Sequence, residues 1–212
     1  MKTLMVSNVV PGLRWNRLIL FLLSMLVMIA FTALGPAEKA LGSHVRVVYL
    51  HGVWVWTSLA GFTAAGLVGL AGLVAHKEAL SRWSRALGRT GLVFWITYLP
   101  LSLWAMESNW NGLFLSEPRW RVAVEFAVTG ILLQIGLTLI EDPAWASAAN
   151  FFYGFALLWT LVVTQNVMHP ASPILASDSW RIKVFFGGLF VLMLLVAAQV
   201  ADGFHRLEQQ VK

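Results

Sequence analysis

The sequence predicts an all-α, polytopic membrane protein built as a six-helix transmembrane bundle. Hydrophobic residues make up 58% of the 212 positions and charged residues only 12%, with a mean hydropathy of +0.73. That charged fraction is about half of what a soluble domain carries. Six apolar segments also stand out, each near the roughly 20 residues that cross a hydrocarbon core. Together these observations indicate an integral membrane protein.

The six segments form one predicted membrane domain that covers residues 1–212. The second is long enough to cross the bilayer at a tilt. The first could instead be a cleaved signal peptide, because small residues follow it, but its apolar run is longer than a signal peptide usually has. We therefore keep it as a span. The predicted spans are residues 17–35, 46–75, 90–107, 121–141, 149–168 and 181–204.

Basic residues between the segments predict the orientation of the bundle. The cluster Lys77, Arg82, Arg85 and Arg89, between the second and third segments, is expected on the cytoplasmic side. An even number of spans then places both the N- and C-termini in the cytoplasm. The connections 36–45, 108–120 and 169–180 are expected on the outer side.

Several classes of function are excluded or disfavoured. The chain has no cysteine, which excludes disulfides, thiolate catalysis, iron–sulfur clusters and covalent heme attachment to this chain. Its net charge of +5 is spread between apolar runs, so no nucleic-acid partner is expected. There is no hydrolase or nucleotide-binding motif, and only Pro100 interrupts a span, so we predict neither an enzyme nor a carrier.

Two histidines are candidate ligands on the predicted outer side. His51 lies inside the second apolar segment, beneath Arg46, and His169 lies at the outer end of the fifth. Ionisable side chains inside a span usually face a bundle interior, a cavity or a cofactor. Two histidines from different helices suffice for a six-coordinate heme iron. A hydrogen bond to a neighbouring helix would equally explain a single membrane histidine. His76 and His205 are expected on the cytoplasmic side.

The outer loop between the third and fourth segments mixes aromatic and charged residues. Trp110, Phe114 and Arg119 lie in it, and Arg121 follows. Such a loop can present a platform to a planar apolar ligand, with an arginine for its carboxylates. An ordinary interfacial loop has the same composition. Trp104, Trp145 and Trp180 are better explained as an interfacial aromatic belt.

Two further patterns concern packing. Glu125, inside the fourth segment, is four residues after Arg121, a spacing that lets the two pair along one helix face and favours local charge neutralisation. The alternative is that Glu125 is a proton-accessible group. Small residues predict close approach of helices. They are Gly66, Gly69, Gly72, Gly187 and Gly188.

The motifs around the two histidines resemble those of a known family. Arg46-x-x-Tyr49-x-His51-x-x-x-x-Trp56 is similar to Arg-x-x-Tyr-x-His-Val-Pro-x-x-Trp in the heme-handling membrane proteins of cytochrome c maturation. That tryptophan-rich WWD-loop family includes the C subunit of the heme exporter complex. The stretch from Asn166 to Ser172, with His169, resembles the family's Asn-x-x-His-Gln-Pro-x, although the Gln is absent here.

The outer loop departs further from the family pattern. Trp110 and the pair Pro118-Arg119 match the family's Trp-Gly-x-Trp-Trp-x-Trp-Asp-Pro-Arg, but Leu113-Phe114 and Ser116-Glu117 replace its Trp-Trp and Trp-Asp. These replacements remove most of the aromatic surface with which the family cradles heme. They suggest a site that binds heme without necessarily passing it on.

The resemblance implies a divergent member of this family that binds heme b on the outer, periplasmic side of a bacterial-type inner or plasma membrane. It would be a non-enzymatic chaperone in heme transport and cytochrome c biogenesis. Its partners would be the lipid bilayer and other membrane subunits. The alternatives are a b-type cytochrome subunit for electron transfer and a heme-free structural subunit. The implied axial ligands are His51 and His169, with Trp54, Trp56, Trp110, Phe114, Arg119 and Arg121 around the heme.

Overall fold

The computed structural model of this protein describes residues 11–165 and 174–210. In these ranges the regular structure is helical, apart from an isolated bridge between Glu38 and Gly42. The predicted all-α architecture is therefore confirmed for the described chain. The helices are α1 (Pro11–Ala33), α2 (Val45–Val74), α3 (Glu78–Trp110), α4 (Pro118–Ile140), α5 (Pro143–Val163) and α6 (Trp180–Gln210).

Five of the helices are long and apolar enough to cross a membrane, judged by length and composition. This agrees with the predicted integral membrane protein. The exception is α3, whose first half carries Glu78, Arg82, Arg85 and Arg89. The sixth span and the cytoplasmic termini accordingly stay predictions. The five candidate spans are Trp15–Ala33, Val45–Val74, Pro118–Ile140, Pro143–Val163 and Trp180–Gln209.

Four helices differ clearly from the predicted bounds. α1 begins at Pro11 rather than at 17, and α6 ends at Gln210 rather than at 204. The third begins at Glu78 rather than at 90 and continues through Pro100. The fifth covers Pro143–Val163 rather than 149–168. It starts early because Oδ1 of Asp142 accepts a hydrogen bond of 2.7 Å from the backbone N–H of Ala144, and proline fits the first helical position.

α4 also begins with a carboxylate cap followed by a proline. Oε2 of Glu117 accepts a hydrogen bond of 2.7 Å from the backbone N–H of Trp120, and Pro118 is the first residue of the helix. Glu117 is buried, with 4% of its surface exposed. The outer-loop carboxylate therefore caps a helix, which fixes where the loop ends.

The centre of the bundle is α2, which packs against α3 and α5 through small residues. A Cβ placed on Gly61 would lie 3.0 Å from the Cα of Gly91, and one on Gly69 would lie 3.0 Å from the carbonyl oxygen of Ser147. The backbones therefore nearly touch, as predicted for Gly66, Gly69 and Gly72. At Gly187, by contrast, a Cβ would meet nothing within 4 Å, so the predicted close approach is not found there.

Two apolar clusters lie on opposite sides of α2. One is formed by α1, α2 and α6 with Phe94 of α3, and it includes Tyr49 and Phe186. The other is formed by α2, α3, α4 and α5, and it includes Phe62, Trp95 and Leu157. Both α2 and α3 contribute to the two clusters and so connect them. α2 starts and α3 finishes on the same side of the bundle, and we call this side the His51 end.

The opposite end, which we call the Arg85 end, contains ion pairs between α3 and α6. Nη1 of Arg89 lies 3.0 Å from Oε1 of Glu208, and Nε of Arg85 lies 3.6 Å from the same oxygen. Arg85 and Glu208 are almost wholly buried, with side-chain exposures of 11% and 9%. The three arginines of the basic cluster that the sequence suggested as a loop are thus part of a helix, and two of them contact α6.

Candidate functional site

His51 is the seventh residue of α2, about 9 Å from the start of the helix. Its side chain is half-buried, and its ring centroid lies 5.7 Å from that of Tyr98 on α3, with the ring planes tilted by 57°. Tyr98 is itself buried in the cluster between α2 and α5. The imidazole therefore contacts a neighbouring helix of the bundle, as the functional hypothesis requires.

The connection before α2 is fixed by the other residues of the His51 motif. Nε of Arg46 donates to the carbonyl oxygen of Gly35 at 3.0 Å, and the hydroxyl of Tyr49 donates to that of Pro36 at 3.0 Å. Tyr49 has no exposed surface. Arg46 and Tyr49 thus anchor the chain around the start of α2, a structural role that the motif alone did not reveal.

A short turn in the same connection carries a carboxylate outside the helices. Glu38 accepts hydrogen bonds from the backbone N–H groups of Leu41 at 2.9 Å and Ala40 at 2.7 Å. These bonds, from Leu41 first and then Ala40, hold the pKa of the Glu38 carboxyl below its usual value. Nearby, Nδ1 of His44 donates to the carbonyl oxygen of Ser108 at 2.8 Å, which joins the start of α2 to the end of α3.

The two tryptophans of the motif lie on different faces of α2. Nε1 of Trp54 donates to Oγ1 of Thr97 at 2.9 Å, and the Trp54 ring lies 5.7 Å from that of Phe94. Trp54 therefore packs against α3, the same helix that His51 contacts. Trp56 is 40% exposed. At about 100° per residue it lies some 140° around the helix from His51.

The loop from Asn111 to Glu117 retains one aromatic pair. The rings of Trp110 and Phe114 meet edge to face with centroids 6.0 Å apart, and Trp110 is 37% exposed. Leu113 and Leu115 are about half exposed, at 54% and 51%. The loop thus presents a small apolar surface at the His51 end.

The two predicted arginines differ in position. Arg119 is half-buried in the first turn of α4, whereas Arg121 is exposed. About 200° separates Arg121 from the buried Ala123, so Arg121 lies on the outward face of α4. Arg121 also forms no ion pair with Glu125, and the predicted pairing of these two residues along the helix is wrong.

His169 lies outside the described residues, as does the rest of 166–173. The residue that follows this range is buried against α2: a Cβ placed on Gly52 would lie 3.5 Å from Cδ1 of Ile174 and 3.3 Å from Cε2 of Phe186. Within the described ranges, no group of three His, Cys, Asp or Glu side chains is arranged to hold a metal ion. A paired-histidine site is not tested by that result, since it needs only two ligands.

Other aromatic and histidine residues lie where a membrane bundle would place them. The rings of His205 and Trp83 stack at the Arg85 end with centroids 4.0 Å apart, far from His51. Trp104, Trp145 and Trp180 are 53%, 64% and 76% exposed. All three lie within two turns of a helix end, as an interfacial belt requires.

Comparisons of the chain with protein-family models, curated proteins and solved structures found no match.

Proposed function

We propose that this protein is a heme-binding membrane protein in which His51 and His169 are the axial ligands of a heme b. The observation that carries the proposal is the position of His51, half-buried within a helix long and apolar enough to cross a membrane. An imidazole at this depth is costly without a polar partner or a cofactor. Its ring contacts that of Tyr98 on α3, so the imidazole lies where two helices meet.

The length of the chain supports the second ligand. His169 is five residues before Ile174, whose side chain packs beside Gly52, the neighbour of His51. Five extended residues span at most about 18 Å. His169 is therefore close enough in the chain to reach the heme face opposite His51, and the connection to Val163 of α5 leaves similar length on the other side.

The described residues around His51 fit a heme in chemical type. Imidazole is a heme-iron ligand, and the pair Trp110 and Phe114 provides apolar surface at the same end of the bundle. Arg119 is the better of the two predicted partners for a propionate, since it is half-buried in the first turn of α4 whereas Arg121 lies on the outward face. A bound heme would supply one-electron redox chemistry, while the chain would orient the iron and limit access of water.

We assign this site to the outer face of a six-span bundle with cytoplasmic termini. α3 is 33 residues long, and its apolar part, after Arg89, can cross the bilayer while its charged first half extends to the cytoplasmic surface. The positive charges at 77–89 favour that orientation. In this arrangement the protein works in heme delivery for cytochrome c biogenesis, together with other membrane subunits.

A permanent b-type cytochrome subunit is the second candidate. It is favoured by the loop at 111–117, where Leu113 and Leu115 occupy exposed positions at which the family pattern is rich in tryptophan. A smaller platform suits a heme that stays bound between two histidines. The two functions differ in whether heme leaves the protein.

The test is the reduced-minus-oxidised spectrum of the purified protein. The wild type should show a low-spin b-type band, and His51→Gly and His169→Gly should each lose it, because one axial position would lack its ligand. Free imidazole should restore the band in both variants. His76→Ala is the control, since it removes an exposed imidazole from the opposite end of the bundle and should leave the band unchanged.

A wild type without a heme band would refute the proposal, and an unchanged band in either glycine variant would refute the paired ligands. An apocytochrome c acceptor then separates the two functions. Movement of heme to the acceptor supports the chaperone, and retention supports the electron-transfer subunit.

A further inference from the structure

The outward face of α4 carries a carboxylate inside a helix long and apolar enough to cross a membrane. Glu125 is exposed and lies seven residues after Pro118, about 10 Å along the helix. A charged side chain at such a position is costly, and charges in spans normally pair or face a protein interior. Glu125 therefore needs a partner.

The other carboxylates in the five candidate spans have partners within the chain. Oδ2 of Asp202 lies 2.7 Å from Nε of Arg206, and Oε1 of Glu208 lies 3.0 Å from Nη1 of Arg89. Glu125 differs from both, because its carboxylate makes no ion pair or hydrogen bond with any side chain in residues 15–165 or 174–209. None of the described side chains is therefore its partner, and a neighbouring chain in the membrane is the other source of a cation.

The helix period shows which residues share the face of Glu125. The buried residues Ala123 and Ala127 mark the inward side, against α3 and α5. At about 100° per residue, the opposite side is centred near Leu132, which is 63% exposed. The residues within about 40° of that direction are Arg121, Glu125, Val128, Leu132, Gly136 and Leu139.

The outward face of α4 carries a cation, Arg121, as well as the carboxylate of Glu125. Arg121 is exposed one turn nearer the His51 end, yet it does not pair with Glu125 of the same chain. Arg121 lies about 6 Å along the helix from Glu125, toward the His51 end. When the α4 helices of two copies run parallel, Arg121 of one copy therefore lies within about one turn of Glu125 of the other and can pair with its carboxylate. We propose that α4 is the contact surface of a homodimer in which Glu125 of each copy pairs with Arg121 of the other.

In a two-fold symmetric dimer, the pair of Arg121 and Glu125 occurs twice. A two-fold axis along the membrane normal keeps both copies in the same orientation and repeats each pair on the other side of the axis. Gly136 supports close approach further along the helix, since a Cβ there would meet nothing within 4 Å in the single chain. Exposed leucines at 132 and 139 supply apolar contact between these points.

The test uses the absence of native cysteine in the sequence. Leu132→Cys, in the full chain in membranes, should form a disulfide-linked dimer under mild oxidation. Leu26→Cys and Leu70→Cys are matched controls, because they are exposed at 61% and 42% on α1 and α2. Neither should form the disulfide crosslink, because α1 and α2 lie outside the proposed contact.

Charge changes in the Leu132→Cys chain test the pairing itself. Glu125→Arg should lower the dimer fraction by about tenfold or more, because two arginines would then face each other. Reversing both charges, with Arg121→Glu and Glu125→Arg together, should restore it. Glu125→Gln, which changes the shape little, should lower it by about threefold and serves if the arginine variant fails to insert.

Three results would overturn the proposal: no crosslink at Leu132, a crosslink that none of the charge variants changes, or no recovery in the double variant. The readout requires no heme. A protein that dimerises without a heme band would leave this proposal standing while refuting the proposed function, and a heme-binding monomer would do the reverse.

Discussion

Glu208→Gln is expected to destabilise the protein strongly while changing the shape of one side chain very little. In the native protein the carboxylate lies between Arg85 and Arg89, and only 9% of its side chain is exposed. The substitution removes its charge and leaves two guanidinium groups, themselves 11% and 21% exposed, with no compensating anion. Removing one partner of a buried pair costs about 3–5 kcal/mol.

The lower end of that range applies, because Arg89 retains some exposure and also donates to Oγ1 of Thr138 at 3.2 Å. We therefore expect a loss of about 3 kcal/mol in the free energy of unfolding. For a chain of this length, such a loss corresponds to a fall in Tm of about 6–12 °C. Thermal unfolding in detergent, followed by circular dichroism, measures it.

Asp202→Asn is the matched control at the same end of α6. It removes a carboxylate whose side chain is 39% exposed and whose partner Arg206 is 46% exposed. A surface pair of this kind is worth at most about 1 kcal/mol. Equal shifts in Tm for the two variants, or no shift for Glu208→Gln, would show that burial does not determine the strength of the Arg85–Arg89–Glu208 contact.

Two further substitutions test the packing of the bundle and the start of α2. Gly88→Ala should cost about 1–3 kcal/mol, because its Cβ would lie 2.6 Å from Oδ1 of the buried Asn150. Gly203→Ala, on an exposed position of α6 with nothing within 4 Å, should be neutral or stabilising, and comparable losses in the two variants would contradict this account. Tyr49→Phe should cost about 1 kcal/mol and speed hydrogen exchange in 36–44, because the bond to the carbonyl oxygen of Pro36 is lost. Unchanged exchange there would mean that the hydroxyl does not anchor the connection.

The helices could be predicted because a membrane span is recognised by a continuous run of apolar residues, which is a property of the local sequence. Five apolar segments correspond to helices that are long enough to cross a bilayer. The start of α3 could not be predicted in this way. Charges at 78–89 are typical of a loop next to a membrane, and only their contact with Glu208, more than a hundred residues away, explains how a helix buries Arg85.

Part of the candidate site could also be predicted from the sequence. The sequence indicated that His51 lies within a span, and the structure adds the half-buried imidazole and its contact with Tyr98. Trp54 packs against α3 and Trp56 does not, because only one side of α2 faces α3. The spacing of residues in the sequence does not reveal which side that is. The pairing of Arg121 with Glu125 was wrong because an i,i+4 spacing allows an ion pair without requiring one.

The sequence by itself determined a helical membrane protein, the depth of His51 and the small residues that let helices approach. These features follow from composition and from the fixed rise and period of a helix. Only the tertiary structure decided which helices meet, because contacts such as Gly61 with Gly91 and Arg89 with Glu208 depend on packing between distant segments. It also placed Glu125 on the outward face of α4, where a neighbouring chain can reach it.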